Sequence, residues 1–132
     1  MTKMFIIKLA YWLGIAADTL WAVALLVPSI FAVLTNNPDF NPDLDFKLIM
    51  GIGGTLMTGW TFLLIWAVQK PIERRVVILL TAFPVVFGLF IVSLIGSLNS
   101  DSINWWILIK TTILFISMIT SYILAGKMAK NK

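Results

Sequence analysis

Residues 76–98 read VVILLTAFPVVFGLFIVSLIGSL, and the fold is decided there. The stretch holds no charged residue, and Thr81, Ser93 and Ser97 are its only polar side chains. As a helix rising 1.5 Å per residue it covers about 34 Å, enough to cross the roughly 30 Å hydrocarbon core of a bilayer. Charge resumes at its flanks, with Glu73, Arg74 and Arg75 before it and Asp101 after it.

Working outward, three more runs have the same character, at about 9–34, 48–68 and 105–126. The first is long for one crossing, so it is expected to tilt, to kink near Pro28 or to extend past the bilayer. Of the 132 residues 60% are hydrophobic and 12% charged, against about 25% charged in a soluble domain. A soluble fold of this size has no interior large enough to hide that much apolar surface. The expected fold is therefore an all-α integral membrane protein, a single membrane domain over 1–132 with four transmembrane helices in an antiparallel bundle. The start, MTKMFIIK, has the basic, apolar form of a signal peptide, but the run that follows continues to Leu34. That exceeds the roughly 7–15 residues of a signal core, so it reads as a retained first helix.

The connections set the orientation. Lys3, Lys8, Lys70, Arg74, Arg75, Lys127, Lys130 and Lys132 fall on one side, and Lys47 stands on the other with Asp39, Asp43, Asp45 and Asp101. The positive-inside rule then places both termini and the middle turn in the cytoplasm. Trp105 and Trp106 suit an outer aromatic belt and Trp66 and Trp12 an inner one, whereas Trp21 and Trp60 lie deeper.

The net charge of +4 comes from lysines and arginines flanking hydrophobic runs, so orientation in a membrane explains it and a nucleic-acid partner is not expected. The chain has no Cys and no His, which removes disulfides, thiol catalysis and imidazole metal sites. Gly51-x-Gly53-Gly54 lies inside a hydrophobic run and lacks the Lys of a phosphate-binding loop. Asp39, Asn41, Asp43 and Asp45 alternate as in a calcium loop, but Leu44 stands where Gly is needed and Met50 where the bidentate Glu belongs. No catalytic residue, cofactor or metal is expected, and the chain reads as a non-enzyme.

Asp18 stands out among the polar residues. It sits about ten residues into the first span, near the bilayer midplane, where an ionised carboxylate is costly unless paired or hydrated. Tyr11, Gly14, Ala22, Leu25 and Ser29 lie within about 40° of it around the helix, a mostly small or polar stripe suited to an interior. Lys110, roughly 9 Å into the fourth span, is the expected partner, with Ser117 and Ser121 on its face and Trp21 and Trp60 as pocket walls. The pair reads either as an interhelical tie or as a proton, ion or solute site.

Two further features concern helix packing. Gly51, Thr55 and Gly59, with Gly54 alongside, form a small-residue ridge that admits a close neighbour. Pro84 removes a backbone hydrogen bond and, with Gly88 one turn on, marks a kink.

Four spans in a chain of this length is a layout similar to that of several small bacterial membrane families, the DoxX-like and multidrug-resistance groups among them. The latter carry an acidic residue in the first span, but the glycine and tryptophan placements here depart from that pattern. The likeness is one of layout, which carries no function. The leading expectation is an accessory or scaffold subunit, with the lipid bilayer as surroundings and a second copy or a larger membrane protein as partner. The alternatives are an oligomeric small-solute or proton transporter using Asp18 and Lys110, and a lipid- or quinone-binding protein. The lack of disulfides and sequons points to a bacterial or archaeal cytoplasmic membrane.

Overall fold

Val27 precedes a proline, and the ring of Pro28 disfavours helical geometry in the residue before it. In the computed structural model, which describes residues 2–98 and 105–130, Val27 is accordingly extended, with φ −124° and ψ 97°. The first hydrophobic run is thus two helices, α1 (Thr2–Leu26) and α2 (Pro28–Leu34), the second with its proline at the first position, where a missing N–H costs nothing. α2 ends on a left-handed residue, Asn36 at φ 53°. The Asn37 N–H reaches back to Ala32 O at 2.9 Å and that of Asn36 to Val33 O at 3.2 Å, the Schellman pattern.

α3 (Leu44–Val68) starts earlier than the hydropathy suggests because Asp43 caps it. Asp43 Oδ1 accepts from the Phe46 N–H at 2.9 Å, satisfying a donor of the first turn. One aspartate of the alternating loop is thereby a helix cap. The turn after α3 leads into α4 (Arg75–Leu80), which continues through a π-helical segment (Thr81–Val86) into α5 (Phe87–Leu98). α6 (Trp105–Lys130) closes the chain and runs past Gly126 to the basic tail. The described residues contain no strand.

At Pro84, where a kink is expected, the helix takes π-helical hydrogen bonding. Pro84 lies inside the π segment, and the Phe87 N–H bonds to Ala82 O five residues back. A wider turn relieves the clash of the proline ring with the preceding turn and absorbs its missing donor. The Thr81 hydroxyl donates to Val77 O at 2.8 Å just ahead of the segment. Gly88 has open space where a Cβ would stand.

Four helices are long and apolar enough to cross a membrane: α1, α3, the continuous Arg75–Leu98 and α6. Large apolar side chains stand out on all of them, including Leu56, Val92 and Ile113. Relative to the sequence expectation of 9–34, 48–68, 76–98 and 105–126, the helices extend further at Thr2, Leu44 and Lys130, and the first stops at Leu26.

Contacts divide the chain into two compact units, Met1–Leu13 with Trp66–Lys132, and Gly14–Ile65. In the first, α4, the π segment and α5 all pack along α6, and Phe83, Phe87 and Phe115 cluster with ring centroids 5.8–6.4 Å apart. In the second, an aromatic ladder runs from Trp21 to Phe31, Phe40 and Phe46, with centroids 6.2, 4.8 and 5.8 Å apart in turn. These offset and edge-on contacts tie the chain between α2 and α3 to the helices on either side of it.

Candidate functional site

The buried face of α1 follows helical spacing. Ile7, Tyr11, Gly14, Asp18 and Ala22 recur three or four residues apart and are all buried. The only charged residue on that stripe is Asp18, 4% exposed. Its Oδ2 is enclosed and meets no hydrogen-bond partner among the described residues. Buried polar groups almost always find a partner, so an exception calls for an explanation in strain, catalysis or an unseen ligand.

Within the second unit, one turn along α1 from Asp18, Ala22 comes close to α3. A Cβ placed on Gly54 would stand 2.8 Å from Leu26 Cγ, 2.9 Å from Leu26 Cδ2 and 3.2 Å from Ala22 O. A larger residue would have to displace Leu26 and crowd the Ala22 carbonyl, so glycine suits this approach, the kind of contact small residues give helices in lipid. The other members of the expected ridge differ. Gly51 and Gly59 have open space around them, and Thr55 is exposed with its hydroxyl donated to Gly51 O at 2.8 Å. Of the expected ridge, Gly54 thus makes the close contact inside the unit, and a Cβ on Gly51 or Gly59 would meet nothing within 4 Å among the described residues. Thr58, one turn beyond Gly54, donates its hydroxyl to Gly54 O at 2.8 Å, and the buried Thr61 donates to Met57 O at 2.9 Å.

The remaining predicted residues are placed as follows. Trp21 and Trp60 are half-buried in the second unit, whereas Trp12, Trp66 and Trp105 are exposed. The side chain of Trp106 and the 99–104 connection with Asp101 lie outside the described residues. Lys110 is exposed on α6 in the first unit, Asp18 belongs to the second, and Ser117 is half-buried.

Tyr11 and Ser121 are engaged in the first unit. The Tyr11 hydroxyl donates to Arg74 O at 3.1 Å, and the Ser121 hydroxyl to Ile7 O at 3.5 Å. Arg74 in turn lies over the Trp66 ring, 3.6 Å from its centroid, and its guanidinium donates to Trp66 O. Nothing in the spacing of 11, 66 and 74 announces the arrangement, because it depends on how two distant helix ends meet.

Compared with models of known protein families, with curated proteins and with solved structures, the chain has no match.

Proposed function

We propose that the chain is a multi-pass membrane protein whose four spans alternate in direction, with both termini and the Gln69–Arg74 turn at the cytoplasmic face. In this reading Asp18 is the working group of an intramembrane site that takes up a proton or a small cationic solute, as in a small transporter. The observation that carries it is the enclosed Oδ2 of Asp18, without a partner among the described residues, in a helix long and apolar enough to span. Ionisable residues in such helices mark ion pathways and proton relays more often than not. The outward-standing apolar side chains and the one-sided basic residues support the membrane placement.

Two measurements test it. The chain has no cysteine, so single cysteines replacing Asp39 and Glu73 report sidedness directly. A membrane-impermeant maleimide applied to intact cells is expected to label the first and spare the second; the reverse pattern removes the orientation. In liposomes under an imposed pH gradient, wild-type protein is expected to conduct flux that Asp18→Asn abolishes at unchanged helical content. Equal flux through both removes Asp18 from the mechanism.

A second reading has its own support. The open Gly51, Thr55, Gly59 line suits close approach by another helix, as expected of an accessory or scaffold subunit. Native mass spectrometry after gentle extraction decides: a larger partner in fixed stoichiometry favours this reading, and a bare homo-oligomer favours transport.

A further inference from the structure

A groove of about 510 Å³ opens in the first unit where the start of α1, the turn after α3 and the last turn of α6 come together. Lys70 and Arg75 bring two cations to it, and Met4, Ile72 and Val76 supply apolar wall, with Ala129 contributing from α6. Its volume is within the roughly 300–1,000 Å³ of small-molecule sites.

The charges within it are unequal. Lys70 is paired with Glu73 at 3.3 Å, but both side chains are well exposed, so the pair is weak and exchangeable. Arg75 is half-buried and has no ion-pair partner among the described residues. Its neighbour Arg74 is committed to Trp66, and the Arg74 carbonyl accepts from Tyr11. The turn is therefore held in place on one side while Arg75 is left to face the groove. Two of the three segments also carry further lysines close by in sequence: Lys3 and Lys8 on α1, Lys127 and Lys130 on α6. Against these, Glu73 is the sole acid among the described residues of the unit.

We propose that this groove is a binding site for the headgroup of an anionic phospholipid, the phosphate on Arg75 and Lys70 and the upper acyl chains along Met4, Ile72 and Val76. The combination of cations with an apolar wall selects a lipid over free phosphate, which has no use for the wall. Arginine's planar fork suits a phosphate diester better than an ammonium does. The location follows from the membrane placement proposed above, on which the inference rests: basic segments next to a span meet the anionic cytoplasmic leaflet.

The test uses the full chain reconstituted in bilayers of equal phosphatidylcholine and phosphatidylglycerol, with two readouts. Flotation with the bilayer checks the membrane reading itself, and wild-type protein that fails to float overturns both. Native mass spectrometry of the lipids retained on release then checks the groove. Wild-type protein is expected to keep one phosphatidylglycerol in strong preference to phosphatidylcholine. K70Q/R75Q is expected to weaken that retention about thirtyfold, roughly fivefold for each cation removed. Val76→Trp keeps every charge and fills the groove from an exposed position, and it too is expected to lose the lipid. K127Q/K130Q, outside the groove, is expected to change retention by about threefold or less. Floating protein that retains both lipids equally overturns the proposal. So does an equal loss from both double variants, which would mean surface charge alone, and so does displacement of the lipid by millimolar inorganic phosphate.

Discussion

Tyr11 and Asp18 lie two turns apart on the same buried stripe of α1, and the fold treats them in opposite ways. The Tyr11 hydroxyl is fully enclosed and finds Arg74 O, and Ser121 reaches Ile7 O one turn nearer the N-terminus. Both bonds tie α1 to other segments of the first unit, and every polar atom in them has an evident structural use. Asp18 is almost as deeply buried, yet its Oδ2 has no partner among the described residues. Burying a hydrogen-bonded hydroxyl is close to neutral, whereas burying an unpaired carboxylate oxygen costs free energy. A fold stabilised only by apolar packing gains nothing from an acid there. The difference separates a residue that holds the structure from one that strains it.

The largest expected effect follows from that contrast. Asp18→Leu removes the unsatisfied group and is expected to stabilise the protein by about 1–3 kcal/mol, as deletion of a buried orphan should, while flux in liposomes is lost. Unfolding in mixed micelles measures the first quantity. A loss of stability of similar size would mean that Asp18 has a structural partner, and the contrast with Tyr11 would collapse.

Next comes the close approach beside Asp18. Gly54→Ala places a Cβ 3.2 Å from the Ala22 carbonyl and closer still to Leu26. Leu26 can swing aside, but the backbone of α1 cannot, so a cost of about 1–3 kcal/mol is expected. Gly59→Ala meets nothing within 4 Å and is expected to be neutral or to stabilise by up to about 1 kcal/mol through helix propensity. Equal effects of the two changes would remove Gly54 as the contact point.

How far the sequence foretold this depends on the kind of signal. Hydropathy located four helices long and apolar enough to span, because each is a dense apolar run bounded by charge. The helix ends fall at other residues, since hydropathy marks where a helix could meet lipid and the hydrogen-bond ladder stops elsewhere. Asp43 caps α3 at a point set by its carboxylate, five residues before the apolar run begins, and Pro28 divides the first run in two. Pro84 marked a break in the hydrogen-bond ladder without showing that the backbone would widen into a π turn. The glycine pattern revealed that α3 has a small-residue side but not which glycine another helix would touch. Asp18 was legible because charge is rare inside such runs. The Tyr11, Arg74 and Trp66 arrangement was not, because no local pattern records which distant carbonyl a hydroxyl will meet.

The smallest expected effect probes the satisfied half of the comparison. Tyr11→Phe keeps the buried ring and deletes only the hydroxyl, leaving Arg74 O with the Val77 N–H at 3.0 Å as its donor. Hydrogen bonds between membrane helices average about 0.6 kcal/mol and reach about 1.7, and the carbonyl keeps its bond from the Val77 N–H, so a loss near 1 kcal/mol is expected in the same micelle assay. Flux through Asp18 should be unchanged, since the bond belongs to the other unit and carries no charge. If Tyr11→Phe instead reduced flux as much as Asp18→Asn, the two residues would act together, and the stripe of α1 would be one functional surface rather than a structural end and a working end.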